Sequence, residues 1–488
     1  MFHLTKDDYL GLHQRYVRLL GDNPQTLQPL PSSQPSPSLQ TYLSLSKEQE
    51  QIRKQLSELF EGMMKTLYKE QGAQLRIEVL AEPKVQEFIN AHADALNSSF
   101  QQIKMSEAMR QRLQRSNYIF SGIKTFHELN EAFPSLIDEN GNRKPFEQFL
   151  NDVRKIDNTY NSNYLRAEYN FCQASADMAA KWEQFSEDGD RYNLQYRTQR
   201  DNKVRPEHAA LDRVTLPMSD PFWQEYYPPN GWNCRCTVVQ VRKSKYPVTP
   251  HDEAMALGEV ATGKDTKGIF HFNPGIEQKT FPDYNPYTIR RCRDCDIAKG
   301  KLGLVFIPEN ELCQACRLIR TINRGQNKAE YNRLLNNPSY KDVQYHEPSG
   351  GVKATHCNHS FDSNKGWYEE NVQTVGFING HSVILDAEFH NIYKHRNCEG
   401  LWDGLPFEIA GAENGTENNI RNALKHCAKK PGSKVAVIYF PKGNFNTEEF
   451  NRGLAKFNGL KGTSQYKLFD FIYCIQGEKI VQIKKPSV

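Results

Sequence analysis

Five prolines fall between Tyr196 and Cys236: Pro206, Pro217, Pro221, Pro228 and Pro229. Each removes a backbone donor and fixes φ near about −65°, so this stretch can hold neither a long helix nor the middle of a sheet. Trp, Tyr and Asn crowd the same stretch, and the pattern runs from about residue 190 to 290. It predicts irregular chain with short strands, among them Cys236–Val241. The sequence on either side has a regular period. Upstream, Ile52, Leu56, Leu59, Phe60, Met63 and Leu67 recur mostly at spacings of three and four, which predicts one amphipathic helix. Residues 84–130 read as helical too, and a further helix is predicted over 145–187. Its face of Tyr164, Glu168, Phe171, Ser175, Met178, Trp182 and Phe185 is expected in the core.

Downstream, residues 351–488 read as a compact α/β unit. Strands are expected at 352–357, 381–387, 399–403, 406–410 and 434–440, with a closing hairpin around Gly477 and Glu478. Helices are expected at 364–378 and 417–430, the second capped by Thr416, and over the Asn-Thr-Glu-Glu-Phe segment beginning at Asn446. The helices are expected on one face of an antiparallel-rich sheet.

A chain of 488 residues is too long for one core. The expected fold is multi-domain. A flexible arm rich in Pro, Ser and Gln covers 1–45, and a mainly α body with an irregular α+β core covers 46–290. A small four-cysteine module covers 291–335, a linker 336–350 and the α/β domain, a mixed sheet with helices, 351–488. The net charge of +4 (62 basic minus 58 acidic) is too small for a polycation, so contact with nucleic acid would need a local patch. No apolar run reaches membrane-spanning length. The first residues lack a charged-then-apolar signal pattern, and the chain is expected in a cytoplasm.

The block from Tyr196 to Cys236 resembles the signature of the Mu F family of phage minor head (head-morphogenesis) proteins. The resemblance rests on Asp201, Val204-Arg205-Pro206-Glu207-His208, Leu211-Asp212, Asp220-Pro221-Phe222-Trp223 and the closing Pro228 to Cys236. The upstream Asn161–Trp182 and the downstream Phe270–Gly275 also resemble that family's flanks. Arg213 stands where the family usually has glycine, which puts the local turn in question. The resemblance implies a virion protein made in the host bacterial cytoplasm, a role in capsid assembly and DNA packaging at the portal vertex, and portal and capsid proteins as partners. Within the block, His208, Cys234 and Cys236 are metal-capable and could hold a zinc ion that pins the loop. The alternative is that His208 and Asp212, expected one helical turn apart, hydrogen-bond the loop while the thiols stay unmetallated. No acid–base pair or activated nucleophile is visible there.

Cys292-x2-Cys295 and Cys313-x2-Cys316, 17 residues apart, fit a structural four-thiolate zinc site. The segment 291–335 is basic, nine Lys/Arg against five Asp/Glu, so it could contact DNA or RNA. Residues 351–488 resemble toxin-type nuclease domains of the barnase/EndoU/colicin-like or contact-dependent-inhibition kind. This rests on the runs around His356–Asp362, Gly380–Glu388 and Cys398–Lys430. Two chemistries compete. A metal-free RNase would use His356 and His359 as base and acid, with Glu408 and Thr416 near the same edge. A restriction-type core would use Glu399 or Asp403 and then Glu408 to hold Mg²⁺. Ala410 occupies the place of the expected lysine and disfavours the second. The preferred reading is a minor head protein with a nuclease-like cargo domain. The rivals are a phage-delivered nuclease toxin, for which an immunity protein would be a partner, and a DNA-binding packaging factor.

Overall fold

The computed structural model describes residues 47–70, 75–265, 268–282, 285–289, 314–361, 366–387, 398–430, 432–460 and 469–484. The arm at 1–45 and most of the four-cysteine segment, Cys292, Cys295 and Cys313 included, lie outside these residues. The described residues form two compact units that divide near residue 290.

The first unit is a helical body with a small sheet. Its long helices are α1 (Lys47–Leu67), α2 (Pro83–Ser98), α3 (Glu107–Ala132), α4 (Phe146–Asp157) and α5 (Leu165–Asp188). The stripe expected on α1 is buried at Leu56, Phe60, Met63 and Leu67. Pro83 opens α2 at a position where its missing N–H costs nothing. The Ser106 hydroxyl caps α3 by accepting from Met109 N at 3.1 Å. The single helix expected over 145–187 is interrupted. Residues Asn158–Asn163 form a π turn between α4 and α5, where Asn, Thr and Ser compete with the backbone for hydrogen bonds. Tyr160 O in that turn accepts from Lys124 Nζ at 2.8 Å. The α5 face is buried as expected. Its one acid, Glu168, is tolerated because Lys124 Nζ lies 2.7 Å away and Tyr287 donates to its other oxygen.

Behind α5, β1 (Asn193–Arg197) lies between β2 (Thr215–Pro217) and β3 (Thr237–Val241), antiparallel to both. This sheet and α6 (His251–Thr262) enclose Trp182, Trp223, Tyr226 and Tyr227. Burying each such ring stabilises the unit by about 2–3 kcal/mol. Among the described residues no helix is long and apolar enough to cross a membrane.

The second unit is an eight-stranded mixed sheet in the order β11-β10-β9-β8-β7-β6-β5-β4. Its elements are α7 (Gln314–Leu335), β4 (Tyr340–His346), β5 (Gly351–His356), α8 (Gly366–Ile378), β6 (Ser382–Leu385), β7 (Gly400–Trp402), β8 (Leu405–Gly411), α9 (Glu417–Ala428), β9 (Val435–Phe440), α10 (Thr447–Asn458), β10 (Phe471–Gln476) and β11 (Lys479–Lys484). Strands β6, β7 and β8 form an antiparallel meander, and β8 pairs parallel with β9 across α9. The period of two sorts the faces. Phe407 and Ile409 of β8 pack with Val372 and Val375 of α8. Ala410 and Ala412 pack with Ile420 and Leu424 of α9 and Phe450 of α10.

Two expectations are corrected here. Helices cover both faces of the sheet, because β8, β9 and β10 are apolar on both sides. Residues 340–346, expected as linker, form the edge strand β4, antiparallel to β5. Leu334 of α7 packs on Val352, Ala354 and Ile384, so that helix belongs to the sheet unit and not to a separate module.

Candidate functional site

Two clusters of chemically capable side chains stand out, one in each unit. In the first, Pro206 starts the helical turn Pro206–Ala209, which carries His208. The loop 228–236 returns beside it. Gly231, at φ 154°, runs under the Arg205 guanidinium, which donates to Trp232 O at 2.6 Å. Tyr196 Oη donates to Asn230 Oδ1 at 2.7 Å. Arg235 forms a two-pronged ion pair with Asp201 at 2.7 and 2.8 Å. Its neighbours Cys234 and Cys236 turn the other way, and their Sγ atoms lie 3.8 and 4.0 Å from His208 Nδ1. His208 and Cys234 are buried, and Cys236 is half-buried. The hydrogen bond from Cys236 pulls the Cys234 thiol well below the usual thiol range, against the effect of burial, and His208 adds to the pull. The same hydrogen bond to Cys234, and then burial, raise Cys236.

Asp212 does not join this cluster. The helical turn ends at Ala209, and Asp212 instead accepts from Thr198 N (3.0 Å) and Arg200 Nε (3.0 Å). At the turn questioned at Arg213, that residue takes the left-handed region at φ 73° and its N–H donates to Tyr196 O at 2.8 Å. Asp220 accepts from Phe222 N at 2.9 Å, and Asn273 bridges Trp223 O to the backbone N–H groups of Gly275 and Ile276. These polar side chains hold the loops.

In the second unit, Gly400 stands so close to β6 that a Cβ would lie 1.9 Å from Ile384 O. This close approach carries the β6–β7–β8 register one step further, with Asp386 N donating to Glu399 O and Glu399 N to Phe407 O, both at 3.0 Å. Glu399 therefore stands opposite Glu408 on neighbouring strands, an arrangement of like charges that destabilises a sheet unless compensated. Compensation comes from α9 and the residues after it. Glu408 Oε1, 1% exposed, lies 3.2 Å from both His426 Nε2 and Lys430 Nζ. Glu408 Oε2 is buried without a hydrogen-bond partner among the described residues. Burial opposes the Lys430 charge, but Glu408 and then Glu399 outweigh it and raise its pKa. On the other side of Glu399, His359 Nδ1 donates to Asp386 O at 2.8 Å while Nε2 faces Glu369 Oε2 at 3.0 Å. Burial alone would lower the His359 pKa, and the Glu369 bond and the Asp386 carbonyl raise it instead. Ligand atoms of His359, Glu369 and Glu399 lie within 4.8 Å of one another.

Of the expected catalytic residues, His359, Glu399 and Glu408 are thus brought together. The other three have structural places. His356 Nδ1 accepts from Asn358 N at 3.0 Å in a turn. Asp403 accepts from Ser382 N at 2.9 Å and His381 Nδ1 at 2.7 Å, fixing the β7–β8 turn. Thr416 caps α9. Glu369, His426 and Lys430 were missed, since nothing in their spacing ties them to Glu408.

The region holding the first cluster matches a known family. Residues 139–239 match a family described as Phage Mu protein F like protein. The chain is 38% identical over 107 residues to the "Putative capsid assembly protein F" of Escherichia phage Mu, covering 21% of each chain. It is 32% identical over 136 residues to the "Mu-like prophage FluMu F protein" of Haemophilus influenzae, covering 26% of this chain and 29% of that one. The chain thus spans less than a third of these curated relatives. No solved structure matches. The family match ends at residue 239, short of the C-terminal unit.

Proposed function

We propose that this chain is a phage or prophage minor head protein that joins other head proteins at the portal vertex during capsid assembly and DNA packaging. It would be made in the host bacterial cytoplasm and retained in the virion. The observation that carries the reading is the match of 139–239 to the Mu F-like family, with a relative named as a capsid assembly protein. The helical body fits docking on a large assembly. Co-expression of the full chain with the portal protein of its own genome tests it. A complex surviving size-exclusion chromatography, and the chain in purified heads, are expected. Heads assembled from the full gene set that lack the chain would overturn the reading.

The C-terminal unit supports a second activity, hydrolysis of nucleic-acid phosphodiesters. The observation that favours it is the facing pair Glu399 and Glu408 with Lys430 beside them. These residues fit a divalent cation such as Mg²⁺, since the carboxylates are hard oxygen donors and Glu408 Oε2 has no hydrogen-bond partner among the described residues. When bound, the cation would supply Lewis-acid polarisation of a phosphoryl oxygen. Lys430 holds a positive charge beside Glu408, the role that Ala410 cannot fill, so the objection to a restriction-type site weakens. His359, its proton shared with Glu369, is placed to donate or accept at the same cluster. Cleavage of tRNA and plasmid DNA by the full chain, with Mg²⁺ and with EDTA, is the test. Cleavage that needs Mg²⁺ supports the site, and EDTA-resistant RNA cleavage would restore the metal-free mechanism. The paired cysteines 292, 295, 313 and 316 support a separate structural zinc ion.

A further inference from the structure

We propose that His208, Cys234 and Cys236 form a zinc centre that clasps the 228–236 loop to the Pro206–Ala209 turn. The geometry is that of a ligand set. A tetrahedral zinc with Zn–S of about 2.3 Å and Zn–N of about 2.1 Å separates sulfur from nitrogen by about 3.6 Å. The two sulfurs stand 3.8 and 4.0 Å from His208 Nδ1, and all three donor atoms lie within 4.8 Å of one another. A thiol–imidazole hydrogen bond at such lengths contributes little, whereas closing on an ion needs movements of only a few tenths of an ångström.

The chain around the donors is arranged to present them. Cys234 and Cys236 both turn their sulfurs to His208, while Arg235 between them is held away by Asp201. Arg205 and Tyr196 fix the same loop through Trp232 O and Asn230. Neither cysteine is in a disulfide. Two thiolates side by side in a buried pocket repel each other, and a dication removes that cost. Three protein donors leave the fourth position to water or another small donor. The ion's part is to tie the already ordered 228–236 loop to the Pro206–Ala209 turn.

The test is zinc content of the full chain by elemental mass spectrometry, for the wild type, Cys234→Ser/Cys236→Ser and His208→Cys. The double variant should lose one equivalent per chain whatever the four-cysteine segment holds. His208→Cys should keep the equivalent, with three thiolates, and change the thiolate-to-metal absorption of the Co²⁺-substituted chain. Should the double variant fail to fold, thiol titration of the wild type decides the matter. With a strong chelator, two further thiols should become reactive at 234 and 236, located by alkylation and peptide mapping. Zinc content equal in wild type and double variant, or Cys234 and Cys236 freely alkylated without chelator, would overturn the proposal.

Discussion

Each unit buries charge, and the two do it differently. In the helical body, Lys124 and Glu168 are shut off at 0% and 1% side-chain exposure, and Lys124 Nζ reaches Glu168, His92 and Tyr160 O together. Burial, with the Lys124 charge, holds the His92 pKa down to about 4, so at neutral pH this imidazole is uncharged and the lysine has one ionised partner in Glu168. In the C-terminal sheet, Glu408 is as deeply buried, yet its partners reach solvent, Lys430 at 29% and His426 at 58%. There Glu399 stands opposite Glu408 in the sheet, and its ligand atom lies within 4.8 Å of those of Glu369 and His359. A closed pair with every donor placed marks packing. Acids crowded beside exposed bases are the arrangement on which the proposed cation site rests. Burial alone would not have told the two apart.

The largest effect expected is on the closed pair. Lys124→Ala leaves Glu168 charged and buried, a loss of about 3–5 kcal/mol. The melting transition of the first unit should fall sharply or vanish, and any nuclease activity of the second should persist below it. Equal loss in both units would mean the division near residue 290 is not a functional one.

Glu408→Gln and Lys430→Ala should do the reverse. Cleavage should fall by about 10²–10³. Melting should change little in Glu408→Gln, whose partners reach solvent, and should fall less in Lys430→Ala than in Lys124→Ala because His426 remains 3.2 Å from the buried Glu408. Restoration by Ala410→Lys in the Lys430→Ala background would show that only a local ammonium is needed. Loss of folding in Lys430→Ala would instead make this lysine a structural counter-ion like Lys124.

Glu128 sharpens the contrast through pH. Burial, outweighing the nearby Lys124 charge, pushes its carboxyl up to about 8. An acid with a raised folded pKa contributes stability that is whole below its unfolded value and is lost as pH rises through the folded one. The wild type should therefore lose stability between about pH 4.5 and pH 8, and Glu128→Gln should not. The difference between the two proteins at pH 9 against pH 5 is expected to be about 2 kcal/mol, smaller than full linkage because buried sites relax. Parallel stability curves for wild type and variant would show that the carboxyl is not held neutral.

Much of this was legible from local pattern. The α5 face, the strands of the second unit and the Thr416 cap follow from periods and caps that need no tertiary information. Residue type alone singled out His208, Cys234 and Cys236, and the structure brings these three side chains together. What was not legible depends on where chains cross. Lys430 meets Glu408 only because α9 folds back over β8, and Asp212 leaves His208 only because the helical turn stops at Ala209. Strand β4 was hidden because an edge strand needs no apolar alternation. Tyr340–His346 is largely solvated and reads as linker.

The smallest effect concerns Arg213, where the block departs from the glycine usual in the family it resembles. Its φ of 73° is left-handed backbone, which costs a residue with a Cβ about 1–2 kcal/mol relative to glycine. The turn survives because its bonds do not involve the Arg213 side chain. Arg213 N donates to Tyr196 O, and Val214 N to Leu211 O at 3.0 Å. The guanidinium adds only an exposed 3.9 Å approach to Asp212, which Arg200 already pairs at 2.9 Å. Arg213→Gly should therefore stabilise the first unit, by about 0.5–1 kcal/mol once the extra freedom of glycine in the unfolded chain is counted. Chemical denaturation should show a higher midpoint with an unchanged slope, and zinc content should stay the same. A lower midpoint would mean that the Arg213 side chain, rather than the backbone alone, holds the turn that sets β1 beside the His208 and Cys234 loops.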